Sequence, residues 1–195
     1  MNPLYEAALR IQAFCEAEQW RSCIIGGIAV HRWGRPRATK DVDLTLLTGF
    51  GGEERFLERL LTRYRLRDGY SREFVLMNRV LLLADECGVA VDLSLGAIPF
   101  EERSIARSSL WRSPDSHALR TCSAEDLLVH KSYAARPHDW LDVEDVLDRQ
   151  QGRLDLALVR RELRELAPFK PEIDILAELE VRVKRAARPL RLPPG

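Results

Sequence analysis

The sequence predicts an α+β protein: a short mixed β-sheet flanked by helices, followed by a helical C-terminal section. Three observations predict it. Strand-like and helix-like segments alternate through residues 1–122. Residues 123–195 carry only helical spacing. Hydrophobic residues, at 46% against 31% charged, are enough to build a core. The 195 residues fit one domain, or a first domain over 1–122 with a helical section, 123–195, packed on it.

Taken in order, Leu4, Ala8, Ile11 and Phe14 recur at helical intervals and predict an amphipathic helix over 4–19. WRSCII, 20–25, reads as a short strand closed by a Gly26-Gly27 turn. IAVHRW, 28–33, reads as a short helix ended near Gly34 and Pro36, with Trp33 in the core. DVDLTLL, 41–47, alternates polar and apolar residues as a half-buried strand does. GFGGEERFLERLLTRY is a loop and then a helix, with Phe56, Leu57, Leu60 and Leu61 on one face. Strands over 79–85 and 89–95 are separated by Glu86, Cys87 and Gly88 and read as a hairpin. Residues 99–107 predict a short helix and 117–121 an edge strand. Ser123 offers an N-cap to a helix over 124–135, Pro137 breaks that helix, and a second begins about Asp139. Periodicity predicts two more helices over about 153–167 and 171–187, and the Pro-rich tail RPLRLPPG, 188–195, reads as loose.

The bulk numbers narrow the function. Thirty Lys and Arg balance thirty Asp and Glu, so no global charge favours a nucleic acid. Cysteines at 15, 23, 87 and 122 show no C-x-x-C spacing, which argues against zinc. Cys15 and Cys23 read as small core residues, and reduced thiols in a cytoplasmic protein are expected. MNPLYEAALR lacks an apolar signal segment, and the most apolar stretch, 74–100, is broken by Arg79, Asp85, Glu86 and Asp92; no membrane partner is expected.

Alternation along 41–47 puts Asp41, Asp43 and Thr45 on one strand face and Val42, Leu44 and Leu46 on the other. Carboxylates at i and i+2 project in parallel from roots about 7 Å apart. Left bare, they repel and raise each other's pKa. VAVDLSL, 89–95, repeats the pattern with Asp92 and Ser94 opposite Val91, Leu93 and Leu95. A sheet that pairs these strands gathers three acids on one face, and such a trio calls for a divalent cation, Mg²⁺ or Mn²⁺. A solvated strand face is the competing account of Asp-x-Asp alone. Gly26-Gly27, between a strand and a helix, allows a close backbone approach to phosphate, although most such pairs are plain turns. Lys131 sits in an apolar stripe with Leu127, Leu128, Ala134 and Ala135, so it must snorkel or meet a negative group such as Asp139 or a phosphate.

Together, GGIAVHRWGRPRATKDVDL resembles the signature of the nucleotidyltransferase superfamily, whose fold is that of polymerase β. Arg37-x-Thr39 and AEDLLVHKSYAARPHDWLDVEDV resemble more specifically the AbiEii-type branch, which includes toxins of toxin–antitoxin systems. The resemblance implies that Asp41, Asp43 and Asp92 hold metal and that Asp92 activates the attacking hydroxyl. It implies nucleotide contacts for Gly26, Gly27, Arg37, Thr39, Asp139 and Asp142, and a catalytic place for the helix lysine, Lys131. Gly27 stands where Ser often occurs, and His138 takes the position of the branch's basic residue. The implied activity moves a nucleoside monophosphate from an NTP to a hydroxyl on RNA, protein or a small molecule, with an antitoxin as a possible partner. The alternative is a non-catalytic nucleotide-binding or partner-binding protein on the same fold.

Overall fold

A computed structural model of the chain describes residues 2–187; the tail 188–195, expected to be loose, lies outside the described residues. The elements run α1 (Pro3–Ala17), β1 (Ser22–Ile24), α2 (Gly26–Trp33), β2 (Asp41–Leu47), α3 (Glu53–Leu60), β3 (Arg65–Leu66) and α4 (Arg72–Asn78). They continue with β4 (Val80–Ala84), β5 (Ala90–Gly96), α5 (Pro99–Arg107), β6 (Ser109–Arg112) and β7 (Ala118–Thr121). Four α-helices close the described chain: α6 (Ala124–Ala134), α7 (Pro137–Arg149), α8 (Leu156–Leu166) and α9 (Ile175–Ala186). Two compact units result, residues 2–32 with 37–123, and 33–36 with 124–187. The mixed sheet flanked by helices and the helical C-terminal section are those the sequence predicts.

In the first unit the sheet has seven strands in the order β3-β4-β5-β2-β1-β7-β6. β2 runs parallel to β5 and β1 parallel to β7, and the remaining neighbours are antiparallel. The apolar faces of the strands explain the core. Val42, Leu44 and Leu46 of β2 and Val91, Leu93 and Leu95 of β5 are buried with Leu4, Ala8 and Ile11 of α1 and Leu57 and Leu60 of α3. Burying each large aliphatic side chain contributes about 1.5–3 kcal/mol. Asn2 caps α1 by accepting from the Leu4 N–H at 3.0 Å, and Pro3 follows at the first helical position, where its missing N–H costs nothing. Asp85 anchors the β4–β5 hairpin by accepting from the N–H groups of Cys87 at 2.9 Å and Val89 at 2.8 Å.

The structure corrects several sequence expectations. The sheet gains β3 and β6, and helix α4 fills part of 66–79. β7 is not an edge strand, because β6 pairs along its outer side. Helix α2 begins at Gly26, so the two glycines open the helix rather than precede it. The helical path breaks at residues 135–136 as expected, but the second helix starts at Pro137 rather than about Asp139, because proline is favoured at the first helical position. Cys15 and Cys23 are buried as expected, and all four cysteines are thiols.

In the second unit, Leu127, Leu128, Trp140, Val143, Val159 and Leu163 are among the buried side chains of α6, α7 and α8. Trp33, expected in the core, is half-buried; its carbonyl accepts from Gln150 Nε2 at 2.8 Å, and the Gly34 carbonyl accepts from Arg149. No described helix is long and apolar enough to cross a membrane. His130 of α6 is enclosed enough that burial pushes its pKa down to about 4. The fold therefore holds the imidazole neutral, while the unfolded chain takes up a proton near pH 6.5. Stability that is complete above about pH 6.5 declines as pH falls toward 4, by up to roughly 3 kcal/mol in all. Urea unfolding at stepped pH, with the His130 ring followed by NMR, checks this; a His130 pKa near 6.5 contradicts it.

Candidate metal centre

β2 and β5 are parallel neighbours in register, with Asp43 opposite Asp92 and Asp41 opposite Ala90. Paired positions on adjacent strands point to the same face, so the apolar alternation that buries Leu44 and Leu93 turns the acids the other way. One carboxylate oxygen from each of Asp41, Asp43 and Asp92 lies within 4.8 Å of the other two, and all three residues are half-buried. Burial raises the Asp92 pKa; the Arg67 guanidinium opposes this, Asp41 adds to it, and the net direction is upward.

Two neighbours fix the β2 pair. The Thr39 hydroxyl donates to Asp41 Oδ1 at 2.9 Å, and the Gly27 N–H donates to Asp43 Oδ2 at a longer 3.4 Å. The start of α2 thus aims its N–H groups, and the positive end of its dipole, at the acid face. Glycine is required there by sterics. A Cβ at Gly26 would stand 1.9 Å from Asp43 Oδ2, and the residue has φ +59°. A Cβ at Gly27 would stand 2.4 Å from Thr39 Oγ1. Gly26→Ala must therefore move the Asp43 carboxylate and strain the backbone, at a cost of roughly 1–3 kcal/mol. Urea unfolding reads that cost, and an unchanged midpoint contradicts the close approach.

Arg37 is exposed on the loop before β2. Its carbonyl accepts from His31 Nε2 at 2.7 Å, which leaves His31 Nδ1 to accept from the Tyr5 hydroxyl at 2.8 Å. His31, given no role by the sequence reading, thus ties the loop that carries Thr39 to α2 and α1.

Lys131, Asp139 and Asp142 come together within the second unit. The Lys131 ammonium is 2.9 Å from Asp139 Oδ1 and 2.9 Å from Asp142 Oδ2, and all three side chains are buried. Arg136 Nε adds a bond to Asp139 Oδ2 at 2.6 Å. Burial would raise the Asp139 pKa, but the bonds from Arg136 and Lys131 outweigh it and hold the carboxyl below its ordinary value. Of the two fates open to a lysine in an apolar stripe, the structure shows the acidic partner.

Sequence reasoning missed Arg67. Its Nη2 lies 2.6 Å from Asp92 Oδ1. The alternating arginines of RYRLRD were the available signal, but the strand that places them has two residues and no readable period.

No protein-family model matches the chain, and no curated protein matches it. Among solved structures, the chain is similar to an antigenic nucleotidyltransferase-like protein from Paracoccidioides brasiliensis, at 16% identity over 90% of this chain and 91% of that one, with a TM-score of 0.48. It is similar to the antibiotic-resistance factor ANT(2'')-Ia, at 18% identity over 93% of this chain and 98% of that one, with a TM-score of 0.47. It is also similar to the lincosamide antibiotic adenylyltransferase LnuA in its lincomycin-bound form, at 14% identity over 73% of this chain and 96% of that one, with a TM-score of 0.47.

Proposed function

We propose that this protein is a divalent-metal-dependent nucleotidyltransferase that moves a nucleoside monophosphate from an NTP to a hydroxyl acceptor. One observation carries the reading: Asp41, Asp43 and Asp92 converge from two parallel strands, with ligand oxygens within 4.8 Å of one another, against the glycine-only start of α2. Three carboxylate oxygens, hard donors on half-buried residues, fit Mg²⁺ or Mn²⁺. Asp41, Asp43 and Asp92 would hold the ion, and when bound it would neutralise phosphate charge and polarise the phosphoryl oxygens.

The chain's own residues account for the remaining requirements. The N–H groups at Gly26 and Gly27 favour an anionic group near the acid face. Thr39 orients Asp41, and Arg37 on the exposed loop meets the nucleotide. Asp92, with its raised pKa, accepts the proton of the attacking hydroxyl. The acceptor oxygen bonds to the α-phosphorus as the bond to pyrophosphate breaks, and pyrophosphate leaves with the electron pair.

Finer parts of the proposal rest on the sequence resemblance. They are the AbiEii-type branch, an antitoxin partner, a cytoplasmic location, and nucleotide contact by Lys131, Asp139 and Asp142. The acceptor is RNA, a protein hydroxyl or a small molecule. The test incubates the protein with Mg²⁺ or Mn²⁺, each α-labelled NTP and cell extract. Label transfer that vanishes in Asp41→Ala supports the reading and identifies the acceptor class. No transfer from any NTP, with the two proteins alike, rejects it. Metal-independent NTP binding without transfer favours a non-catalytic nucleotide-binding protein.

A further inference from the structure

Arg67 stands at the start of the exposed loop that follows β3, and the sheet fixes where it begins. Its N–H donates to the Leu82 carbonyl at 2.9 Å, and Leu82 faces Asp92 in the β4–β5 register. The Arg67 backbone is therefore about two strand spacings, roughly 9–10 Å, from that of Asp92. The side chain must extend across Leu82 to place Nη2 at 2.6 Å from Asp92 Oδ1. The contact is single-pronged, and Arg67 Nε is enclosed without a hydrogen-bond partner. A guanidinium fixed permanently to a carboxylate commonly uses two parallel prongs. Tyr70 lies alongside, its ring centroid 5.8 Å from the guanidinium carbon, and residues 68–70 beyond it are exposed.

Three half-buried carboxylates without any cation are costly, and Arg67 supplies one positive charge to the trio. A divalent ion held by the same trio needs an Asp92 oxygen and repels a guanidinium beside it. We propose that Arg67 is a tethered counter-cation that Asp92 exchanges for the divalent ion, and that the released guanidinium then binds phosphate oxygens of the nucleotide. This inference rests on the nucleotidyltransferase reading of the acid cluster. The exchange couples two loading events. Metal alone must displace Arg67 from its partner, whereas nucleotide offers the displaced guanidinium a new anionic one.

The test compares wild type with Arg67→Gln. Mn²⁺ affinity without nucleotide is read from the free-ion signal in electron paramagnetic resonance, and affinity for a non-hydrolysable NTP analogue is read at saturating Mn²⁺. The expected result is about tenfold tighter Mn²⁺ binding and about tenfold weaker analogue binding in Arg67→Gln. Equal or weaker Mn²⁺ binding by the variant overturns the exchange. A second measurement needs no stable variant beyond resonance assignment: in wild type, the Nε–Hε NMR signal of Arg67 moves as Mg²⁺ binds. A signal that stays fixed while the ion binds overturns the exchange as well. Absence of Mn²⁺ binding in both wild type and Asp92→Asn is a different outcome, which removes the acid-cluster reading itself.

Discussion

Replacing Asp43 with Asn lowers nucleotidyl transfer roughly 10²–10³-fold or more, the scale on which one preorganised electrostatic contact to a transition state acts. Asp43 sits centrally in the trio: it shares its strand face with Asp41, lies opposite Asp92 in the β2–β5 register, and receives the Gly27 N–H. Asn keeps the shape and one oxygen but removes the charge. The loss of activity comes without a loss of fold. Without metal, the variant relieves like-charge repulsion, so its melting temperature is unchanged or higher. Parallel assays of label transfer and thermal unfolding check both halves. A variant that retains wild-type transfer contradicts the assignment, and one whose activity falls only in step with its stability shows Asp43 to be a structural acid.

Lys131→Met has the largest expected effect on stability, a loss of about 3–5 kcal/mol. Methionine fills the volume but leaves the buried carboxylates of Asp139 and Asp142 without the ammonium 2.9 Å from each. Arg136 still bonds Asp139, which softens the loss at that carboxylate. Acid behaviour follows the same logic. The Asp139 pKa is held below its ordinary value, so its contribution is present at neutral pH and is lost as pH falls through that lowered value. Adding Asp139→Leu and Asp142→Leu to Lys131→Met removes the stranded charges and restores much of the stability, because a buried ion pair replaced whole by apolar groups is often neutral. Denaturant unfolding measures both variants. If Lys131→Met costs under about 1 kcal/mol, the cluster is not the internal support described. The restored triple variant also tests nucleotide contact: transfer at the wild-type level confines Lys131, Asp139 and Asp142 to a structural role, and loss of transfer supports nucleotide contact by the cluster.

The parts legible in the sequence are those with a strong period and one buried face. DVDLTLL and VAVDLSL each bury one side of a strand, so the alternation placed Asp41, Asp43 and Asp92 on the other side before any pairing was known. The stripe around Lys131 was equally readable, because a lysine between Leu127 and Ala135 has few physical options. Segments that bury little were not legible. β3 has two residues, and β6 is an edge strand that is mostly exposed. In α4 only Val75 is buried, while Phe74 is 45% and Met77 83% exposed, so the apolar residues trace no stripe. Local chemistry also misled where one residue type serves two purposes. Pro137 marked the break after α6 but also serves as the first residue of α7, ahead of the expected start about Asp139, and Gly26-Gly27 read as a turn although the glycines are the first residues of α2. Arg67 lay beyond reach because its contact with Asp92 depends on a strand register, and nothing in a run of arginines states which of them crosses the sheet.

One divalent ion is expected to bind where β2 and β5 place their acids. Paramagnetic broadening by Mn²⁺ of the assigned amide spectrum locates that ion directly. The account predicts that Gly26, Gly27, Val42, Leu44, Val91 and Leu93 broaden first, and that Asp43→Asn abolishes the effect. Broadening centred on other residues, or none at millimolar Mn²⁺, contradicts it.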